Sequence, residues 1–436
     1  MAVSFELVLV VRKFAPLGEV FQRTHALTFV SLCSTLFYFG FYNRSVFQDF
    51  FARTEVDDYQ AVNEIRIRQT LDKASVSSWS YDAERLRDAP ESSLKNLAPQ
   101  LFEALPQPFS PKFRNPCWDV RKKPRQCLPY FYLIGMPKCG TTDLWNKLIR
   151  HPYIADTKKE PHWWSRIRMG RGNANHTKLN SNPISYYTRF ARIVVNYTRV
   201  YDRNISKVII GDGSASTMWD NRYWRYFYPN ATHGPAHVNG ELIVTIQPDA
   251  RAIAILRNPS DRLYSDYLYF TPASTLTPQH FHERVRTSIE KFHECTKRLD
   301  VRTCTYDTSN LKDFVRLEVG LYSVYIRDWL SFFPRKRIKV IRIDEWHRQC
   351  AKTLRELYEF LAIEPLRIPA LIKICQDDAE NTRSPDKLSL GPMLPETQQL
   401  LDEFYAPFNR ELARMLGDER YLWDDRGPGS SEESVP

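Results

Sequence analysis

The stretch FYLIGMPKCGTTDLW, Phe131 to Trp145, sets two glycines, a lysine and two threonines between an apolar run and the start of a helical pattern. Those are the parts of an anion cradle: glycines let backbone amides approach a phosphate, and a helix N-terminus adds the positive end of its dipole. The frame is G-x-x-x-x-G, as in the nucleotide loop G-x-x-x-x-G-K-[ST], but Thr141 stands where that loop carries its lysine. The lysine lies inside the loop instead, as Lys138, behind Pro137, whose fixed torsion shapes the turn. Lys138, the amides of Cys139, Gly140, Thr141 and Thr142, and the two threonine hydroxyls are the candidate phosphate donors. Gly-Thr-Thr before a helix is also an ordinary helix start.

A second run, AIAILRNPSDRLYSDYLYF, repeats the logic: a strand, Arg257 at its tip, a turn through Asn258 and Pro259, and a helix bearing Ser265. The planar fork of arginine suits a phosphate, and Ser265, one to two turns into the helix, would reach the same anion. Taken alone, Arg257 has an equal use as the partner of a carboxylate such as Asp261.

These side chains need a frame. Apolar strand-like runs end at Gly135, Gly211, Leu256 and Ile343, each followed by a loop and helical patterning. That alternation predicts an α/β domain with a central parallel sheet flanked by helices and with ligands at the carboxyl ends of the strands. Helical spacing covers 184–200 and 314–333. Residues 241–247 are ambiguous, being β-branched yet directly ahead of a strand.

The chain of 436 residues is 43% hydrophobic and 13% aromatic, ample for a core and against general disorder. A net charge of +10 points to an anionic partner: nucleic acid, a membrane surface or an acidic polysaccharide. Residues 26–42 are 17 without formal charge, between Arg23 and Arg44. This is a short membrane span that reads as an uncleaved signal anchor, with a buried core helix as the alternative. The basic residues ahead of it favour a cytoplasmic N-terminus. Sequons at Asn175, Asn196, Asn204 and Asn230 agree with a lumenal chain, while the one at Asn43 hugs the membrane. Six cysteines outside the span and the loop fall into neighbour couples, 117 with 127, 295 with 304 and 350 with 375, as an oxidising compartment permits. Zinc is the alternative use, but no metal-ligand spacing is seen. The organisation is a cytoplasmic tail 1–25, an anchor 26–42, a stem 43–110, one domain 111–424 and a disordered tail 425–436.

Together, G-x-P-K-x-G-T-T and L-R-N-P-x-x-R-x-x-S about 120 residues later resemble the two nucleotide elements of sulfotransferases that use 3'-phosphoadenosine 5'-phosphosulfate (PAPS). The segments KKEPHWW, GLYSVYIRDWLSFFP and RIKVIRIDEW extend the likeness to the membrane-bound carbohydrate sulfotransferases. The resemblance implies a P-loop-like sulfotransferase domain in the Golgi lumen, of type II topology, that uses PAPS without a metal and binds no nucleic acid. It implies that the first loop holds the 5'-phosphosulfate, that Arg257 and Ser265 hold the 3'-phosphate, and that Arg383 and Lys387, in NTRSPDKLSLGP, belong to a loop over the nucleotide. Basic residues in such a loop are also commonly plain solvent contacts.

Lys138 is then placed to stabilise the leaving oxygen. The acceptor's proton falls to Glu160, with His162 as its rival and neither as the third reading. The hydroxyls of DGSASTMWD, 212–220, suit nucleotide or sugar, or merely a turn. NPCW and SASTMWDN bring the chain nearest to the branch that sulfates C6 of N-acetylgalactosamine 4-sulfate, which implies a chondroitin sulfate acceptor. A heparan-type or dermatan acceptor, a lumenal glycan kinase and a non-catalytic polysaccharide binder are the other readings; oligomeric state is open.

Overall fold

The apolar runs that alternate with helical pattern do form one parallel sheet. A computed structural model describes residues 94–105, 109–119, 125–168, 206–227, 233–307 and 315–424, apart from 96, 222 and 381, all within the unit Ser75–Pro436. The anchor 26–42, the five sequons, the helical pattern at 184–200 and the tail 425–436 lie outside the described residues. Among the described residues no helix is long and apolar enough to cross a membrane.

A short antiparallel pair, β1 (Cys117–Trp118) and β2 (Gln126–Cys127), precedes the sheet. The sheet strands are β3 (Phe131–Gly135), β4 (Gly211–Asp212), β5 (Arg251–Leu256) and β6 (Ile338–Arg342), in spatial order β4-β3-β5-β6. All four run parallel. Every residue of β3 is buried, as is β5 after its first, which is why both read as unbroken apolar runs. β6, at the edge, is less covered, with Lys339 and Val340 half-buried. The chain leaves β3 for β4 on one side and returns to β5 on the other, so the order reverses between β3 and β5. In open parallel sheets that reversal opens a crevice beyond the strand ends.

The principal helices are α1 (Thr141–Leu148), α2 (Asn239–Ile246), α3 (Pro259–Phe270), α4 (Pro278–Thr296), α5 (Tyr322–Phe332), α6 (Cys350–Phe360) and α7 (Pro395–Leu416). α1 follows β3 and α3 follows β5, so both anion-binding motifs stand side by side at the switch. The core around them is rich in large rings: Trp145, Trp163, Trp164, Trp219, Trp329 and Trp346 are all fully buried.

Several sequence expectations need correction. The ambiguous 241–247 falls largely in a helix, α2, which is buried except around Val244 and Thr245 and whose Gly240 lies against the Trp329 ring. The helix expected over 314–333 is split: a 3-10 turn, Leu317–Gly320, precedes α5. There Gly320 fits against the Tyr405 ring, where a Cβ would come within 2.8 Å. Ile343 starts a helix, Ile343–Arg348, rather than ending a strand. After Gly211 the chain makes turns before any helix. Residues 94–105, inside the segment read as stem, carry buried Leu94, Leu97 and Leu101, and the Leu97 carbonyl accepts from Arg168, so packing of the domain begins upstream of 111.

The three neighbour couples are disulfides. Cys117–Cys127 closes the β1–β2 pair, Cys295–Cys304 ties the end of α4 to the helix Val301–Tyr306, and Cys350–Cys375 ties α6 to Ile368–Cys375.

Candidate active site

The loop between β3 and α1 turns through two left-handed residues, Lys138 (φ 65°) and Gly140 (φ 75°). At Gly140 a Cβ would lie 3.0 Å from Ile343 Cδ1, so glycine is needed for both torsion and space. With glycine at its N-cap, α1 has no side-chain cap. The first-turn amides, which have no intrahelical acceptor in any helix, are thus left without a side-chain cap. Asp143, in the first turn of α1, is held by two partners: Oδ1 accepts from Lys147 Nζ (2.6 Å) and Oδ2 from Trp346 Nε1 (2.6 Å). Cys139 is turned inward, fully buried against the Tyr322 hydroxyl at 3.8 Å, and burial pushes its thiol up to about 11. It contributes backbone, not sulfur chemistry.

The cavity at the switch measures about 340 Å³, within the range of small-molecule sites. Of the residues singled out from the sequence, Lys138, Gly140, Thr141, Thr142, Glu160, His162, Arg257, Ser265 and Arg383 line it together. The Cys139 side chain does not. Lys387 stands just outside, its ammonium 5.4 Å from the centre of the Tyr269 ring that does line it. The Lys138 ammonium rests 3.7 Å from the centre of that same ring. Burial, with the cations Lys387, Arg257 and Arg316 nearby, lowers the Lys138 pKa to about 8, although Asp266 opposes the shift.

Glu160 and His162 sit on a strained bend, both with positive φ (61° and 49°), ahead of a π-helical turn, Trp163–Ile167. Hydroxyls from the loop after β4 hold that bend. The His162 amide donates to Ser214 Oγ (2.9 Å), and its Nδ1 pairs with Ser216 Oγ (2.6 Å), which also meets Ser165 Oγ (2.6 Å). The serines of 212–220 thus act mainly on the histidine bend, with Ser216 alone among them reaching the cavity wall. Glu160 is paired with Lys159, and its Oε2 lies 3.6 Å from His162 Nε2. The His162 contact and then Lys159 hold the carboxyl down at about 2 against burial. It is ionised at any physiological pH.

Sequence reasoning missed part of the wall: Arg166, Trp219, Tyr269, Phe270, Arg316, His347 and Glu380 also line it. Tyr269 and Phe270 follow Ser265 by about one helical turn, a spacing that could have found them. Arg316 precedes a segment read only as helix, and no local signal marks it.

A sulfotransferase domain signature matches residues 129–383. Carbohydrate sulfotransferase 15 of Mus musculus is 40% identical over 309 residues, covering 68% of this chain and 55% of that protein. Its Homo sapiens counterpart is 34% identical over 384 residues, covering 76% of this chain and 68% of that protein. The chain thus spans little more than half the length of the mouse relative. A solved sulfotransferase from Alicyclobacillus acidocaldarius aligns with 67% of this chain and 96% of its own at TM-score 0.40 and 22% identity. With the domain signature running through both anion loops and the cavity they enclose, the chain belongs to the sulfotransferase family.

Proposed function

We propose that the chain transfers a sulfuryl group from PAPS to a hydroxyl of a glycosaminoglycan, at C6 of N-acetylgalactosamine 4-sulfate in chondroitin sulfate. The observation that carries this reading is the convergence of Lys138, Arg257 and Ser265, from two separate strand–turn–helix units, with Glu160 and His162 on one cavity. The carbohydrate sulfotransferase 15 relatives and the motif resemblance support the acceptor. The three disulfides and the charge-free 26–42 segment support a lumenal domain on a Golgi membrane anchor.

The residues fit such a donor. The uncapped amides of α1 with Thr141 and Thr142 would hold the 5'-phosphate, Arg257 and Ser265 the 3'-phosphate, and Arg383 with Lys387 would cover the nucleotide. The donor supplies a sulfuryl group on a mixed anhydride, a good leaving arrangement. Lys138, at the mouth of the loop, neutralises charge on the departing oxygen. Glu160 takes the acceptor's proton. Its low pKa makes it a weak base, and transfer of this kind has a loose transition state with little bonding to the nucleophile. The proton is then lost late, when the acceptor oxygen has become strongly acidic, and an ionised weak base suffices. His162 and Lys159 orient the carboxylate.

The test is transfer from labelled PAPS, with ATP as the comparison, to a glycan panel, followed by disaccharide analysis. Transfer from ATP alone would indicate a kinase, and binding without transfer a polysaccharide-binding protein. Glu160→Gln should bind 3'-phosphoadenosine 5'-phosphate normally while turnover falls about 10²–10⁴-fold, and His162→Ala should fall less. The low Glu160 pKa favours one second reading, in which His162 is the base: E160Q would then keep turnover and H162A lose it.

A further inference from the structure

Two arginines on the cavity wall have no part in the donor assignment. Arg316 Nε donates to Asp266 Oδ2 at 2.7 Å, and its Nη2 pairs with the other carboxylate oxygen. Arg166 Nε donates to Asp220 Oδ2 at 2.8 Å. Both carboxylates are buried, so each guanidinium is clamped from its inner side. The Nη1 of Arg316 and both terminal nitrogens of Arg166 make no hydrogen bond to a described residue, and both side chains line the cavity. These are pre-oriented forks whose outer edges are available to a ligand.

Arg166 lies beside the bend that carries the candidate base, and Arg316 stands on the wall between that bend and the Lys138 end of the cavity. Arg166 and Ser165 lie in the π-helical turn that follows His162, and Ser165 and His162 share Ser216. Arg316 lies 5.6 Å from the ring centre of Trp219, in the same loop as Ser216 and Asp220, and 4.3 Å from that of Phe270. Phe270 is 60% exposed at the cavity mouth, an aromatic surface beside a fixed cation. The donor's two anionic ends already have Lys138 with the α1 amides and Arg257 with Ser265. A neutral acceptor seated against these edges would take them out of water without offering a charged partner.

Resting on the sulfotransferase reading, we infer that Arg316 and Arg166 form an acceptor subsite that recognises an anionic group already present on the sugar chain, a sulfate ester or a uronate carboxylate. The planar fork donates N–H groups to either anion, and the exposed Phe270 ring offers an apolar face to the sugar.

The experiment compares KM for three acceptors: chondroitin 4-sulfate, chemically desulfated chondroitin and carboxyl-reduced chondroitin 4-sulfate. Wild type, Arg316→Lys, Arg316→Gln and Arg166→Gln are assayed at saturating PAPS. Arg316→Lys keeps a cation for Asp266 and so protects folding. In wild type, removing the recognised anion should raise KM about 10- to 100-fold, as for loss of a charge-assisted hydrogen bond. The arginine variants should raise KM for the anionic acceptor by a similar factor and erase that preference. Affinity for 3'-phosphoadenosine 5'-phosphate should stay within about twofold. Which chemical removal raises KM in wild type identifies the group as sulfate or carboxylate.

An unchanged acceptor preference in all variants overturns the inference. So does an equal fall in kcat for all three acceptors, which would put Arg316 on the transferring group, or a matching loss of nucleotide affinity. A wild-type chain that sulfates none of the acceptors overturns the functional reading itself, and this subsite with it.

Discussion

The two strand–turn–helix units beside the cleft treat their helix starts in opposite ways. α1 begins after Gly140, which has no side chain to cap it. α3 begins after Asn258, whose side-chain oxygen accepts from the amides of Ser260 (2.9 Å) and Asp261 (3.4 Å). An uncapped start keeps its backbone donors for a ligand, whereas a capped start has them engaged. On the proposed reading, the same supersecondary unit would hold an anion by backbone in one copy and by side chains, Arg257 and Ser265, in the other. Tyr322, at the start of α5, joins the copies: its hydroxyl donates to the Arg257 carbonyl (2.9 Å) and lies against Cys139 Sγ. A buried residue that does not line the cavity thus contacts both loops from behind.

The largest effect should come from the backbone copy. Lys138→Ala is expected to lower kcat about 10²–10³-fold at saturating donor, the range for losing one preorganised donor to a developing charge. Near-normal single-turnover rates in K138A would mean that transfer does not occur at the first unit. Arg257→Ala is expected to weaken binding of 3'-phosphoadenosine 5'-phosphate by about 10- to 100-fold in calorimetry, with a smaller change in kcat at saturation. If kcat falls as far as in K138A, the division between a reacting unit and a holding unit is broken.

The copies should also differ with pH. The Lys138 ammonium, lowered by burial to about 8, is lost as pH rises through that value, while the arginine of the other unit keeps its charge. The donor's kcat/KM should then fall by about tenfold per pH unit above pH about 8, in the limit of full dependence on the cation. A flat profile to pH about 9.5 would show that Lys138 keeps its proton or that its charge is not needed. Glu160, at about 2, should contribute no acid limb above pH about 4. The smallest effect is Asn258→Ala, which should lower unfolding stability by about 1 kcal/mol in denaturant titration with nucleotide affinity within about twofold. A large loss of affinity would show that the cap of α3 shapes the Arg257 site after all.

Local order along the chain made much of this legible. The four apolar runs, the glycine and lysine of the first loop and the Arg257 turn can all be read because each depends on residues within a few positions of one another, and the cysteine couples because each joins sequence neighbours among the cysteines. A parallel strand buried on both faces must be apolar throughout, and a left-handed loop residue without room for a Cβ must be glycine. The readings that failed depended on distant partners. The break before α5 lies where Gly320 packs against Tyr405, and 241–247, left open between helix and strand, packs its Gly240 end against Trp329; neither partner is nearby in the chain.

The sequence by itself determined the α/β order and the two strand–turn–helix units with their candidate anion donors, because glycine torsions, proline, capping residues and apolar periodicity act over short range. Only the tertiary structure decided that Glu160, His162 and the two loops share one cavity, that the serines of 214–216 hold the histidine bend, and that Arg166 and Arg316 stand on the same wall clamped by buried carboxylates. The reason is physical. Arg316 and Asp266 are 50 residues apart, and they pair because α3 and the turn before α5 are packed together by the core, where an unpaired carboxylate would be costly.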